Sequence, residues 1–500
     1  MYRLTPKTSF SVPVLRATDT ARLESEVQAR SPEPLMLKAG LSAAQLARAI
    51  APHAQRIWIA AGPGNNGGDG LQAAIHLQAW GFATLVSLVG APEKMPRDAH
   101  QAYQRAQTAG VRIVTHLPDD WIAGMTAQDL CIDALLGTGA SRAPSDTMQS
   151  WIAQINSSPA QVLSLDLPTG LHPDSGQPWS MEQGPGNLIQ ADHTLTFLAA
   201  KPGLLMGHGR DAAGEIWIDP LTEEGLPTNL LPQAWVSPPP AGRTKAHASH
   251  KGSHGDVAIV GGESIELRGL GMSGAAVLAA SSALHAGAGR VILCTPEGHR
   301  ECLNAPPDLM QRHFEQLDLG ALTVAAGCGG GQAIRPLMAK LLQRSARLVA
   351  DADALNAIAQ DPHLQQLLRA RSKKSRPTVL TPHPLEAARL LGCSSQDVQS
   401  DRVSAARKLA DGFECTVVLK GSGTVIASPA KTSRINITGN GRLATGGTGD
   451  VLAGLLASLL AQGLSDWDAA CSAVWRHGML SDEWPRNEAL TASRLASRIA

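Results

Sequence analysis

The chain has 500 residues, enough for two or three domains that each bury a core. Its 43 Lys plus Arg balance 43 Asp plus Glu, which removes bulk charge as a reason to bind nucleic acid or anionic lipid and leaves function to specific pockets. The seven cysteines (Cys131, Cys294, Cys302, Cys328, Cys393, Cys415 and Cys471) contain no CxxC pair. With no signal-peptide core and no run of roughly 18 apolar residues, they predict a soluble cytoplasmic protein with reduced thiols.

From residue 56, apolar runs such as "RIWIAA", "ATLVSLVG", "DLCIDALLG", "QVLSLDLP" and "HTLTFLAA" alternate with helix-period stretches. That alternation predicts an α/β domain with a doubly wound, mostly parallel, Rossmann-like sheet. The pattern stops in "LTEEGLPTNLLPQAWVSPPPAGRTK", where prolines remove backbone donors and predict an extended joint over 223–245. Alternation then resumes, so domains of 1–222 and 246–500 are expected.

The first polar cluster is "GPGNNGGDG", directly after an apolar run. Gly62, Gly64, Gly67 and Gly68 are expected to allow tight or positive-φ backbone whose amides meet a ligand. The loop lacks the Lys-Ser/Thr of a P-loop and the GxGxxG spacing. Asn65, Asn66 and Asp69 suit ribose hydroxyls or a monovalent cation as well as phosphate. Three more strand ends carry polar residues: Asp133 with the small-residue loop Gly137 to Arg142, Asp166 with Thr169, and Lys201. Each alone reads equally as a cap or turn, but together they mark one edge of one sheet.

In the second half, "TGNGRLATGGTGDVLAGLLASLL" leads Gly446, Gly447 and Gly449 into an apolar helix with Asp450 at its first turn. Glycine amides beside a carboxylate suit phosphoryl transfer to a hydroxyl, the amides holding the phosphoryl charge and the Asp taking the proton. Lys420 to Thr424 form a turn with a cation for nucleotide phosphate. Asp351 and Asp353 offer a magnesium position or, equally, a helix cap. His383 precedes a helix opened by Pro384 and can donate to a ligand there. "GAAVLAASSALHAGAGRV" predicts a small-residue helix that lets other elements pack close, its start toward the substrate.

"LMLKAG", "GPGNNGGDG", "DALLGTG" and "DLPTG" resemble, in this order, the YjeF N-terminal family of NAD(P)H-hydrate epimerases over nearly all of residues 10 to 220. The resemblance implies that Asn65, Asn66, Gly67, Gly68 and Asp69 hold the dinucleotide together with Gly137, Thr138, Gly139, Ala140, Ser141, Arg142, Ala143 and Asp166. It implies potassium at Asn66, Asp133 and Thr169, with Thr where the family more often has Ser. Asp166 is the expected proton-handling carboxylate.

"HKGSHGDVAIVGG", "DADALN", "LTPHPLEAARLLG", "VVLKGSGT" and "NGRLATGGTGD" resemble the ribokinase-like superfamily, in its ADP- or ATP-dependent NAD(P)H-hydrate dehydratase branch, over residues 250 to 460. Ala275, Gly329, His383 and Asp450 would then meet hydrated NAD(P)H. Lys420, Gly421, Ser422, Gly423, Thr424 and Gly449 would meet ADP or ATP, with Mg2+. "AAGCGGG" departs from the family's Gly-Pro-Gly-Leu-Gly run, which bears on Gly329. The combined expectation is a homo-oligomeric repair enzyme with small-molecule substrates and no nucleic-acid or membrane partner. The alternative is a ribokinase-like vitamin-precursor kinase fused to a non-catalytic Rossmann-like binding module.

Overall fold

The computed structural model describes residues 1–179, 188–222, 230–242, 244, 246–297 and 305–499. Cys302 and residues 223–229, 243 and 245 of the expected joint lie outside them. The chain divides into two compact units, one of Met1–Thr5 with Val12–Gln233 and one of Pro6–Ser11 with Ala234–Ala500.

The joint therefore differs from the expectation of a plain spacer. Ala234–Val236 is a strand, paired in parallel with Ser433–Ile435, because the extended backbone that neighbouring prolines favour also suits a strand. Pro6–Ser11 likewise belongs with the second unit, where the Trp475 indole N–H donates to the Pro6 carbonyl at 3.2 Å.

The first unit holds an eight-stranded sheet in the order Tyr2–Arg3, Glu215–Asp219, His193–Phe197, Gln161–Leu165, Leu130–Ala134, Ile57–Ala61, Thr84–Leu88, Arg112–Val114. All neighbours are parallel except Tyr2–Arg3 against Glu215–Asp219. The central strands are buried along their whole length, which is why they read as apolar runs rather than alternating ones. From Ile57–Ala61 the chain winds outward one way to Arg112–Val114, then returns to lay Leu130–Ala134 on the other side. The sheet reverses direction between these two strands, where ligands gather in open α/β sheets.

In the second unit Arg290–Cys294, Asp256–Val260, Thr323–Ala326, Arg347–Ala350, Thr378–Leu380 and Thr416–Leu419 are consecutive parallel neighbours. Val425–Ala427 and Ser433–Ile435 follow as antiparallel strands. Here the winding reverses between Asp256–Val260 and Thr323–Ala326. The small-residue helix Ser273–His285 lies against the helix Thr448–Ala461, and a Cβ on Gly454 would stand 2.0 Å from the Ala279 carbonyl oxygen. The Ser282 hydroxyl donates to the Val451 carbonyl at 2.6 Å, which locks the helix that carries Asp450.

Candidate functional sites

At the first switch point "NNGGDG" is not a loop but the opening of a helix, Asn65–Ala79. The positive-φ expectation fails here, since none of Gly62, Gly64, Gly67 and Gly68 has a positive φ. Close protein contact requires three of them instead. A Cβ on Gly67 would stand 1.9 Å from the Gly62 carbonyl oxygen, and one on Gly62 would stand 1.8 Å from the Leu135 carbonyl oxygen. Gly68 faces Met36 and Ala99 in the same way. The glycines thus sink the helix start onto the sheet, so that Asn65, Asn66 and Asp69 border a cavity of about 720 Å³.

Opposite the helix lie Gly137 to Arg142 and Asp166. Ala143, expected with them, is half-buried and does not border the cavity, and Gly67 and Gly68 lie buried beneath it. A Cβ on Gly137 would stand 2.8 Å from Asp166 Oδ2 and 3.2 Å from Asn66 Cγ, so this glycine lets the two side chains flank one point.

Asp166 has φ 65°, a left-handed conformation in which Asp is among the better-tolerated residues. Its Oδ1 accepts from Lys201 Nζ at 2.6 Å and its Oδ2 from the Thr138 amide at 2.7 Å. Lys201 also donates to Thr196 Oγ1 and to the Phe197 carbonyl, both at 2.8 Å, so all three ammonium protons are placed. Burial alone would raise the Asp166 carboxyl, but the Lys201 charge and these donors outweigh it and hold it below the usual range. Asp69 is pushed well up by burial and by the charges of Asp166 and Glu24.

Asp133 lies beneath, fully buried, and its carboxylate takes hydrogen bonds from Thr169 Oγ1 (2.6 Å), the Thr169 amide (2.8 Å), Ser164 Oγ (2.9 Å) and the Leu135 amide (3.2 Å). Burial raises it, and those bonds oppose the rise. Asn66 is buried with neither amide atom hydrogen-bonded, a costly state for a polar side chain. An orphaned amide oxygen is a donor of the kind a potassium ion takes, and Asn66 would hold the expected ion together with Asp133 and Thr169.

In the second unit Gly447, at φ 91°, turns the chain into the helix Thr448–Ala461, and Asp450 stands in its first turn. Asp450, Asp351 and Cys328 bring one ligand atom each within 4.8 Å of one another. Burial and the Asp351 charge push the Asp450 carboxyl up to about 7. Lys420 Nζ binds Asp351 Oδ1 at 2.6 Å and stands 3.6 Å from the position a Cβ on Gly449 would take, which joins the Lys420–Thr424 turn to the glycine loop. Gly421 and Gly423 both adopt positive φ in that turn. Gly329, at φ 57°, abuts Ala275, whose Cβ would stand 2.9 Å from one on Gly329. Ala275, Gly329 and Asp450 thus share one neighbourhood, with Cys328 hydrogen-bonded to Asp450.

Two expectations are narrowed. His383 caps the following helix through Nδ1, which accepts from the Leu385 and Glu386 amides at 3.1 and 3.3 Å, so only Nε2 remains for a ligand, and it faces Glu386 Oε1 at 3.3 Å. Asp351 and Asp353 each have one carboxylate oxygen engaged within the protein, and Asp351 also stands in the cluster with Asp450 and Cys328 whose ligand atoms could hold a metal ion. Asp351 Oδ1 is committed to Lys420, and Asp353 Oδ2 accepts from the Gly331 amide at 2.8 Å.

Residues 258–500 match the family described as NAD(P)H-hydrate dehydratase, and residues 32–203 match the YjeF-related protein N-terminus. The bifunctional NAD(P)H-hydrate repair enzyme Nnr of Escherichia coli (strain K12) is 36% identical over 472 residues, spanning 90% of this chain and 84% of that protein. The chain belongs to the bifunctional NAD(P)H-hydrate repair enzyme family. The member from Coxiella burnetii is 34% identical over 470 residues, covering 90% of this chain and 89% of its own. A crystal structure of an ADP/ATP-dependent NAD(P)H-hydrate dehydratase from Bacillus subtilis, co-crystallised with ATP/Mg2+, is 28% identical over 51% of this chain and 90% of its own, with a TM-score of 0.42.

Two buried polar residues of this repair-enzyme chain carry no sequence signal of their use. Arg402 is buried and donates to the carbonyls of Leu419 and Lys420 at 3.2 and 3.1 Å, bracing the Lys420–Thr424 turn from below. Glu263, wholly buried, accepts from the Gln332 and Ala333 amides at 2.9 and 3.1 Å and so shapes the glycine run after Cys328. Neither belongs to a motif. No helix among the described residues is long and apolar enough to cross a membrane. The described cysteines are free, with Cys393 exposed and the others buried.

Proposed function

We propose that the chain repairs hydrated NADH and NADPH in two steps, each in its own unit. The first unit interconverts the R and S epimers at nicotinamide C6. The second dehydrates the S epimer at the expense of ADP or ATP, giving AMP and phosphate when ADP is used. The observation that carries this reading is the pairing of two differently built carboxylates with switch-point sites: Asp166 clamped by Lys201, and Asp450 beside a glycine turn.

In the first site Asn65, Asn66, Asp69 and the Gly137–Ala143 loop would hold the dinucleotide, with Gly67 and Gly68 supporting the helix start. Asp166, charged at neutral pH, would move the proton of the C6 hydroxyl. Potassium held by Asn66, Asp133 and Thr169 would supply fixed positive charge beside the loop.

In the second site Ala275, Gly329 and His383 would border the hydrated nicotinamide nucleotide. Lys420 to Thr424 and Gly449 would border the adenine nucleotide. Asp450 would accept the C6 hydroxyl proton as that oxygen takes the phosphoryl group, while the amides around Gly447 face its charge. The ring nitrogen then expels phosphate to give an iminium ion, and loss of a C5 proton restores the dihydronicotinamide. Magnesium would accompany the nucleotide phosphates and offset their charge. A cytoplasmic, homo-oligomeric enzyme fits the free thiols and the small-molecule sites.

The test is incubation of the protein with hydrated NADH and ADP, then ATP, while NADH absorbance is followed. Recovery of NADH supports the reading. A stable phosphorylated product without NADH would favour the vitamin-precursor kinase instead.

A further inference from the structure

We propose that Asp69 and Asp166 form an acid–base pair on the hydrated nicotinamide ring, Asp166 as base toward the C6 hydroxyl and Asp69 as acid toward ring nitrogen N1. The assignment rests on the epimerase reading and adds a second catalytic residue to it.

Both carboxylates border the same cavity, yet they are supplied in opposite ways. Asp166 receives an ammonium and a backbone amide. Asp69 accepts no hydrogen bond and makes no ion pair among the described residues. It sits past the first turn of its helix, beyond the stretch where the helix end favours an anion. A carboxyl without donors beside a charged carboxylate keeps its proton, while its well-supplied neighbour gives its proton up. The charged lining supports this division: Glu24 and Asp98 add negative charge, and Lys201 is committed to Asp166, with Lys94 and Arg142 also on the cavity wall. The direction of each shift agrees, with Asp69 raised and Asp166 lowered.

The step balances without an outside reagent. Asp166 takes the hydroxyl proton, the O–H electron pair becomes the C6=O π bond, the C6–N1 bond breaks, and its pair takes the Asp69 proton at N1. Rotation about C5–C6 turns the other face of the aldehyde to N1. Reclosure returns the N1 proton to Asp69 and the Asp166 proton to the oxygen, giving the other epimer. A cavity of about 720 Å³ lies within the size range of ligand pockets.

The experiment uses the full chain, R-epimer of hydrated NADH, no nucleotide, and epimer-resolved chromatography across pH. Asp69→Asn is expected to lower kcat by about 100-fold or more with KM little changed. It should also abolish the fall in rate on the alkaline side, which reports loss of the Asp69 proton. Asp69→Glu should recover part of kcat and the alkaline fall. A thermal unfolding transition of the first unit that matches wild type reports that the variants are folded, and S-epimer repair with ADP by the same preparations reports that the second unit is intact. A variant Asp69→Asn that raises KM while keeping kcat would overturn the assignment and leave Asp69 a binding residue. Exchange of the C6 oxygen with labelled water during each turnover would overturn the ring-opening step. A wild-type protein that does not interconvert the epimers would instead overturn the epimerase reading itself.

Discussion

Lys201 Nζ lies 2.6 Å from Asp166 Oδ1, with the lysine side chain 1% exposed and the aspartate 16%. Two charges this far from water are stable only as a pair, and Lys201 holds Asp166 in its ionised form. Lys201→Met keeps the bulk and removes the charge. The expected loss is about 3–5 kcal/mol of stability, because a buried carboxylate is left without its counter-charge. Asp166 is depressed in the folded state, so the stability it contributes is full above its ordinary value and is lost as pH falls through its lowered one. Thermal unfolding of the variant should therefore differ most from wild type at neutral pH and converge with it on acidification. The acid side of the epimerase pH profile should shift upward in the same variant, since Asp166 then holds its proton longer. An unshifted profile would mean that Asp166 does not titrate in the rate-limiting step.

Two glycines of one stretch should respond in opposite ways. A Cβ on Gly67 collides with the Gly62 backbone at 1.9 Å, whereas one on Gly64 meets nothing within 4 Å. Gly67→Ala is expected to cost about 1–3 kcal/mol, since backbone on both sides must shift, and to misplace Asn66 next to it. Gly64→Ala should fold with near wild-type stability. Chemical denaturation of both variants checks the contrast, and equal midpoints would remove the packing account of this helix start.

That contrast marks where the sequence was legible. Asp133, Asp166, Thr169 and Asp450 could be read as strand-end or helix-start residues, because apolar runs announce where strands stop and the switch point does the rest. The glycines of "GPGNNGGDG" announced only that small residues were needed, and φ freedom was the wrong reason: Gly62 and Gly67 need room against backbone carbonyls, and Gly68 against Met36 and Ala99. Partners remote in the chain stayed hidden. Lys420 was visible as a cation near nucleotide phosphates, but its bond to Asp351, 69 residues earlier, exists only once the strands Arg347–Ala350 and Thr416–Leu419 lie in one sheet on either side of Thr378–Leu380. Arg402 and Glu263 have polar side chains in otherwise ordinary surroundings, and only the folded carbonyls and amides they hold reveal their use.

Asn66 gives a test of the potassium expectation that does not depend on catalysis. Its amide is buried and unpaired, so an ion that supplies a partner stabilises the folded state by mass action. Raising potassium against a choline background at constant ionic strength should raise the melting temperature of the N-terminal unit. Asn66→Ala should abolish that rise. Asp133→Asn should weaken it, because a carboxylate charge next to the ion is removed. A melting temperature indifferent to potassium in the wild type would leave the orphaned amide without this explanation.

Asp450 makes the dehydratase the more pH-sensitive half. Its carboxyl is pushed up to about 7 by burial and by the neighbouring Asp351 charge, so near neutral pH only part of the population carries the base form. The rate of S-epimer repair should rise with pH through about 7 and level off above it, as more Asp450 is free to take the C6 hydroxyl proton. The stability effect has the opposite sign. A carboxyl whose folded value is raised binds its proton more tightly when folded, so its contribution is full below the ordinary carboxylate range and is lost as pH climbs toward 7. Asp450→Asn should lower kcat for S-epimer repair by about 100-fold or more and flatten the profile, while removing the loss of stability between acidic and neutral pH. Single-turnover rates and denaturation midpoints measured on the same pH series separate the two effects. If Asp450→Asn kept the rising limb, another group would be the base, and Asp450 would owe its raised value to burial alone.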